Sequence, residues 1–433
     1  VPVSDEPRPS RRPWLLDLRP LTQSPAYARF WASGIAGGIG TQLTAVAIGI
    51  QIYDLSGSTA AVALVGALAL APMIVMGILG GTIVDAFDRR KVLIIASSVS
   101  FIAPVGIAVL AWTDVTELWP YYAFTTLSST VGALVGAARF AIHPRLVDRE
   151  LLPAVAALSG ISAGVQAAFG PALAGVLVAT VGFAWTYTID VLLFVIGFWG
   201  IVSLPAIVPA RAVRVGWAAL KDGGRFLRSA QNLRTAISMQ IAAFAFGRPY
   251  AILPAVGALT VGGGAVSVGV LTASAAVGVI VSGLFSGRLG HVRRHGRAIA
   301  LATGWFSGAV ALFGILLLLL PSAPESGVNL TALLALGVAL ALAGAADNVA
   351  GVFRTTMMQS ATPDEMRGRL QGIFTLVLTA GPRLGDVYAG FVAALVALWF
   401  PPLLGAVLLA AFVGAMYAAR RGFREYDAEH PIA

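Results

Sequence analysis

Long apolar runs separated by short polar intervals continue along the chain from Phe30 to Ala419. A helix needs roughly 20 largely apolar residues to cross the hydrocarbon of a bilayer. Stretches of that kind fall at 30–52, 60–84, 92–112, 121–142, 154–180 and 182–204, and again at 235–255, 265–286, 298–320, 330–352, 370–398 and 401–419. The pattern predicts an all-α integral membrane protein of twelve transmembrane helices. Its longest polar interval, 205–234, separates six spans from six. The expected organisation is therefore a tail over 1–29, a six-helix bundle over 30–204, a linker over 205–234, a second six-helix bundle over 235–419 and a tail over 420–433. In the linker, 215–228 reads either as an amphipathic helix lying on anionic lipid, with Trp217 at the interface, or as a solvated tether. The segment before Phe30 is polar and has no apolar core, so the first span is expected to be retained rather than cleaved as a signal peptide.

Composition strengthens this reading. Hydrophobic residues make up 58% of the chain and charged residues 11%, with a mean hydropathy of +0.85. That leaves too little polar side chain to coat a water-soluble surface. The net charge of +9 raises the question of nucleic acid, but the placement of the charges gives another cause. All but Arg248 and Arg383 of the 29 basic residues stand in the first tail, after the even-numbered spans, in the linker and at the C-terminal end. The opposite loops hold Asp54, Asp114, Glu117 and Glu325 and no basic residue. Cytoplasmic loops carry the excess of Lys and Arg, so both termini are expected in the cytoplasm, the protein in the inner membrane, and no nucleic acid as partner.

Several chemistries are excluded or disfavoured. Without cysteine there are no thiolate metal sites or cysteine nucleophiles, and the four histidines lack metal-ligand spacing, so neither metal nor cofactor is expected. The two lysines, Lys91 and Lys221, follow Arg90 and Leu220 rather than glycine, which rules out a P-loop ATP motor. No H-E-x-x-H or G-x-S-x-G string occurs, and an enzyme is not expected.

The loop after the second span reads Gly81-Thr82-Ile83-Val84-Asp85-Ala86-Phe87-Asp88-Arg89-Arg90-Lys91. It resembles motif A of the major facilitator superfamily, in which the glycine permits close helix approach and the Asp and Arg tie helices at the cytoplasmic face. Ala86 departs from the Arg usual after the motif Asp, leaving Asp85 to pair with Arg89 or Arg90. An echo, Gly287-Arg288-Leu289-Gly290-His291, occupies the same loop of the second half, with His291 in place of the Asp. Gly170-Pro171 and Gly381-Pro382 likewise stand in matching spans five and eleven. Such repeats point to two pseudo-symmetric bundles, and interrupted helices at matching positions mark the transport pathway. Gly170-Pro171-Ala172-Leu173-Ala174-Gly175 resembles the end of the superfamily's antiporter motif, although ordinary small-residue packing places glycines the same way. The segments 50–58 and 362–369 look like the efflux branch that contains the enterobactin exporter and macrolide efflux proteins. In the second of them, Thr362, Pro363 and Glu365 also fit a capping box, so no substrate role is assigned there.

Ionisable side chains deep in a bilayer cost several kcal/mol unless paired or hydrated, which makes each one a functional candidate. Arg248 and Arg383 each lie thirteen residues into their spans, beside Gly247 and Pro249 in one case and Pro382 in the other. Both positions point to a wet cavity. Asp190 in span six is the expected proton carrier. Asp386 either releases Arg383 to an anionic substrate or holds it in a permanent i, i+3 pair. Asp347 reads as an interfacial group beside Asn348, and Arg139 as a snorkelling one. Gln42 and Gln166 are candidates for neutral contacts with substrate, or for gluing helices together.

The resemblance implies export of a small amphipathic molecule, a siderophore or drug, by proton antiport and alternating access, with a single chain sufficing. The alternatives are a proton-coupled importer and a non-transporting membrane sensor.

Overall fold

The computed structural model describes residues 17–205, 217–285, 292–324 and 327–430. Among them the chain is all-helical. Ahead of the linker come α1 (Arg19–Gln23), α2 (Pro25–Ser56), α3 (Thr59–Ala86), α4 (Arg89–Trp112), α5 (Leu118–Ile142) and α6 (Leu152–Val202). The linker contributes α7 (Trp217–Ser229), which overlaps the stretch 215–228 read as either an amphipathic helix or a tether. Then follow α8 (Gln231–Gly247), α9 (Leu253–Val256), α10 (Gly264–Leu284), α11 (His295–Leu319), α12 (Leu330–Ala361), α13 (Asp364–Leu395), α14 (Phe400–Ala419) and α15 (Arg421–Arg424). Among the described residues, nine helical segments are long and apolar enough to cross a membrane.

Local chemistry sets the boundaries. Ser24 opens α2 by accepting the Tyr27 amide, and Gly57 closes it in the left-handed region at φ 63°, a conformation that favours glycine. Ser58 caps α3 and Asp88 caps α4, each accepting an amide of the first turn. Asn329 does the same for α12, accepting the Ala332 amide at 3.0 Å. The capping box expected at 362–365 does not form as read. α13 begins at Asp364 with Pro363 as its cap, and Thr362 instead closes α12.

α6 has 51 residues. At 1.5 Å per residue a straight helix of that length is about 75 Å long, more than twice the ~30 Å hydrocarbon thickness. Gly182, at φ 80° and ψ 177°, interrupts it. The contacts with α2 show that the chain reverses there. Before Gly182, Leu158, Gln166 and Gly170 meet Trp31, Gly38 and Gln42 in parallel order. After it, Tyr187, Asp190 and Gly200 meet Gln51, Thr44 and Ser33 in antiparallel order.

Helices on the two sides of the linker meet closely along two seams. On the first, a Cβ at Gly175 of α6 would lie 2.6 Å from the Ala265 carbonyl of α10, and one at Gly269 would lie 2.7 Å from the Pro171 carbonyl. On the second, the Thr59 hydroxyl of α3 donates to the Gly390 carbonyl of α13 at 2.9 Å. Lipid tails are as apolar as leucine, so helix association there relies on close backbone packing of this kind. Large apolar side chains such as Trp199, Leu192 and Leu319 are left exposed, as suits a surface solvated by lipid.

Candidate functional site: a cavity lined from both sides of the linker

A cavity of about 380 Å³ lies between the helices that precede the linker and those that follow it. Gln42 and Pro171 line it from one side, and Arg248, Tyr250, Asp347 and Asp386 from the other.

Arg248 owes its position to a helix break. The residue before a proline is driven out of the helical region, and Arg248, ahead of Pro249, is extended at φ −113° and ψ 100°, so α8 stops at Gly247. Its guanidinium lies 4.6 Å from the Tyr250 ring centroid and 5.5 Å from that of Phe244. Such cation–π contacts stabilise a desolvated guanidinium by about 0.5–2 kcal/mol. Its Nε is buried without a hydrogen-bond partner among the described residues.

Pro382 behaves differently, since α13 runs through it without interruption. Gly381 instead lets α13 close on Phe244 of α8, as Gly170 lets α6 close on Gln42 of α2. Both glycines thus serve close packing within continuous helix. Four residues on from Pro382, Asp386 reaches the cavity wall and pairs with Arg383 at 3.5 Å. Gly66 of α3 makes room for both side chains.

Asp347 is not merely interfacial. α12 continues to Ala361, nine residues beyond the span read from sequence, and Arg354, read as a loop residue, lies inside it at 2% exposure. Arg354 donates to the Asp347 carboxylate at 3.0 Å, and its Nε and Nη1 have no other partner among the described residues. The carboxylate lining the cavity is thus also the counter-ion of a buried arginine.

Asp190 is 5% exposed and is absent from the cavity wall. It accepts a hydrogen bond from Thr44 at 2.5 Å, with Gly40 leaving room on α2. Gln166 packs on Gly38 and donates to the Gly34 carbonyl at 3.3 Å. Of the residues singled out for the pathway, the cavity therefore gathers Gln42, Arg248 and Asp386, while Asp190 and Gln166 join α6 to α2. Arg383 reaches the cavity only through Asp386.

In the motif after α3, Arg89 donates to the Ala141 carbonyl of α5 at 3.2 Å, and Arg90 to the Val202 carbonyl of α6 at 2.8 Å. Both arginines meet the carbonyl ends of neighbouring helices, where the helix dipole favours a cation. Gly81 sits inside α3. The Asp85 side chain and the whole of 287–291, including His291, lie outside the described residues.

With this geometry in place, the comparisons agree on the class. The family model for transmembrane secretion effectors matches residues 17–432. The chain is 28% identical over 387 residues to the enterobactin exporter EntS of Shigella boydii serotype 18, covering 89% of each protein. It is likewise 28% identical over 388 residues to that of Citrobacter koseri, again covering 89% of each. Among solved structures, a POT family transporter in complex with 5-aminolevulinic acid superposes with a TM-score of 0.74 at 8% identity, covering 93% of this chain and 97% of that one. The D323A mutant of the nucleoside transporter NupG gives 0.68 at 15% identity, covering 90% and 98%. The chain belongs to the transmembrane secretion effector family of the major facilitator superfamily. It is a multi-pass membrane transporter of the efflux type, not an enzyme.

Arg354 and Thr44 escaped the sequence reading. Each had a weak signal: Arg354 stands seven residues, two helical turns, after Asp347, and Thr44 follows Gly40 by one turn on the same face of α2.

Proposed function

We propose that this protein is a twelve-helix, two-bundle secondary transporter of the inner membrane. In this reading it exports a small amphipathic anion of the siderophore class in exchange for protons, by alternating access, with both termini in the cytoplasm. The reversal of α6 at Gly182 adds one crossing to the nine apolar segments, and α5 and α13 supply two more. Export of a siderophore follows the printed function of the EntS relatives. The observation that carries the reading is the cavity itself. It is bounded by helices from both sides of the linker, and its one cation among the described residues, Arg248, is held by aromatic rings rather than by a dedicated carboxylate.

Alternating access draws support from an asymmetry of packing. Gly175, Gly269 and Gly390 touch backbone across the two sides of the linker. Toward the end of the molecule that carries the arginines, Gly77 meets the other side only through the Leu376 side chain, at 3.4 Å. That asymmetry supports a transporter closed at the basic-poor face. An anionic substrate entering from the other face meets Arg248 and competes with Asp386 for Arg383. Asp190, buried beside Thr44, carries the proton.

The test is flux in proteoliposomes under an imposed pH gradient, with enterobactin and an uncharged dye as cargo. Arg248→Ala should lower enterobactin flux at least tenfold, equivalent to about 1.4 kcal/mol of lost stabilisation, and dye flux far less. Asp190→Asn should abolish the dependence on the gradient while the protein still folds. Equal loss of both cargoes in the arginine variant, or intact coupling in the aspartate variant, overturns the corresponding assignment.

A further inference from the structure

Away from the central cavity, a groove of about 1110 Å³ runs along the outer surface between α11 and α12. Its floor is shallow because small residues, among them Ala302, Gly308 and Ala345, stand where larger ones would fill it. A Cβ at Gly308 would meet nothing within 4 Å. Along its sides Leu301, Trp305 and Leu342 are 57%, 76% and 52% exposed. One end is basic, with Arg293, Arg294 and Arg297 in its wall. Arg293 is engaged by Glu429 at 2.5 Å. Arg294 and Arg297 have no carboxylate partner among the described residues, and they flank the first turn of α11, whose dipole adds to their field.

We propose that this groove binds one anionic glycerophospholipid, with its phosphate on Arg294 and Arg297 and its acyl chains along Leu301, Trp305 and Leu342. The inference rests on the membrane-spanning class alone and not on the export reading. From Arg294 to Leu312 the groove follows about 25 Å of helix, enough to extend from headgroup level past the middle of a ~30 Å hydrocarbon layer. Trp305 lies about 12 Å of helix below Arg297, so both walls at that depth are apolar. A soluble anion would use the arginines and leave the slot empty. A zwitterionic lipid would fill the slot and bring a choline or ethanolamine cation against two guanidinium groups. An anionic lipid matches both ends, as basic pockets between transmembrane helices do on the cytoplasmic side.

Native mass spectrometry of the purified full-length protein, delipidated in detergent and titrated with phosphatidylglycerol, phosphatidylcholine or inorganic phosphate, tests the proposal. One phosphatidylglycerol should be retained, at least tenfold more tightly than phosphatidylcholine, and millimolar inorganic phosphate should not displace it. Arg294→Gln together with Arg297→Gln should abolish the preference. Gly308→Leu, which fills the slot without touching a charge and favours helix, should weaken retention at least fivefold. Arg421→Gln, on an arginine paired with Glu425 outside the groove, should change nothing. Equal retention of both lipids, displacement by phosphate alone, or indifference to both groove variants sinks the proposal. A protein that exports normally but retains no lipid does so too, while sparing the function proposed above.

Discussion

The helices before the linker and those after it handle buried polarity in opposite ways. In the first set, hydrogen bonds rather than buried ion pairs join the helices among the described residues: Thr44 with Asp190, Gln166 with a backbone carbonyl, and Gln51 with Tyr121 and Tyr187. The arginine in the last turn of α5, Arg139, lies 4.9 Å from the Phe30 ring centroid and has no carboxylate partner among the described residues. In the second set the polarity is ionic: Arg354 with Asp347, Arg383 with Asp386, and Arg248 facing the cavity they share. The two sets of helices thus differ in where charge is placed. Removing a partner from a buried ion pair leaves a bare charge, whereas removing one from a neutral pair leaves a dipole. The second is much the cheaper loss.

The largest effect expected from this contrast is at Asp347. Asp347→Asn leaves the Arg354 guanidinium, 2% exposed and with two nitrogens already unpartnered, without its counter-ion, at a cost of about 3–5 kcal/mol. Combining it with Arg354→Met should restore most of that, because an apolar side chain of similar length needs no partner. Thermal unfolding in detergent reads both. A single variant as stable as the wild type would show that the pair is not holding α12, and the contrast between the sets would fail on its ionic side.

Gln51→Leu probes the neutral side. Gln51 accepts from Tyr187 at 2.8 Å and donates to Tyr121 at 3.0 Å, while Tyr121 also donates to the Val115 carbonyl at 3.0 Å. The substitution strands the Tyr187 hydroxyl and should cost about 1–3 kcal/mol. Adding Tyr187→Phe should recover much of the loss. A cost as large as that of Asp347→Asn would erase the distinction.

How far the sequence foretold this arrangement varies with the kind of signal. Apolar runs and one-sided arginines announced membrane helices, because bilayer thickness and backbone hydrogen bonding leave the chain few choices. Arg248 was legible for a local reason, as proline forces the residue before it out of the helix and any charge there faces sideways. Arg354 was not, because hydropathy ends a span where charge begins, whereas α12 continues for as long as Asp347 and its neighbours can solvate the guanidinium. Pro382 misled in the other direction. A missing amide suggests a break, but helices packed among others tolerate proline, and Gly381 was there to seat Phe244. Which residues share a cavity depends on helix rotation and on contacts hundreds of positions apart, such as Gly66 with Asp386, and spacing along one strand of text carries neither.

The smallest effect concerns the place where the first set comes nearest to holding a buried charge of the second set's kind. His143 follows the end of α5, with its ring 5.3 Å from Phe30 and 6.1 Å from Tyr27. Burial, helped by the nearby Arg139 cation, pushes its pKa down from 6.5 to about 4. The folded protein therefore keeps the imidazole neutral at a pH where the unfolded chain has begun to protonate it. Between those two values the unfolded state binds more protons, so stability should fall as the pH drops from about 6.5 toward 4 and be independent of this group above that range. Allowing for solvent at the membrane surface, about 1 kcal/mol should be lost by pH 5. His143→Phe keeps an aromatic ring beside Phe30 and Tyr27 but cannot titrate, so its unfolding midpoint should decline less than that of the wild type between pH 7 and pH 5. Parallel declines would mean that His143 is charged beside Arg139 in the folded state. Two like charges would then sit together without a carboxylate, and the first set of helices would hold a second unpaired cation beside Arg139.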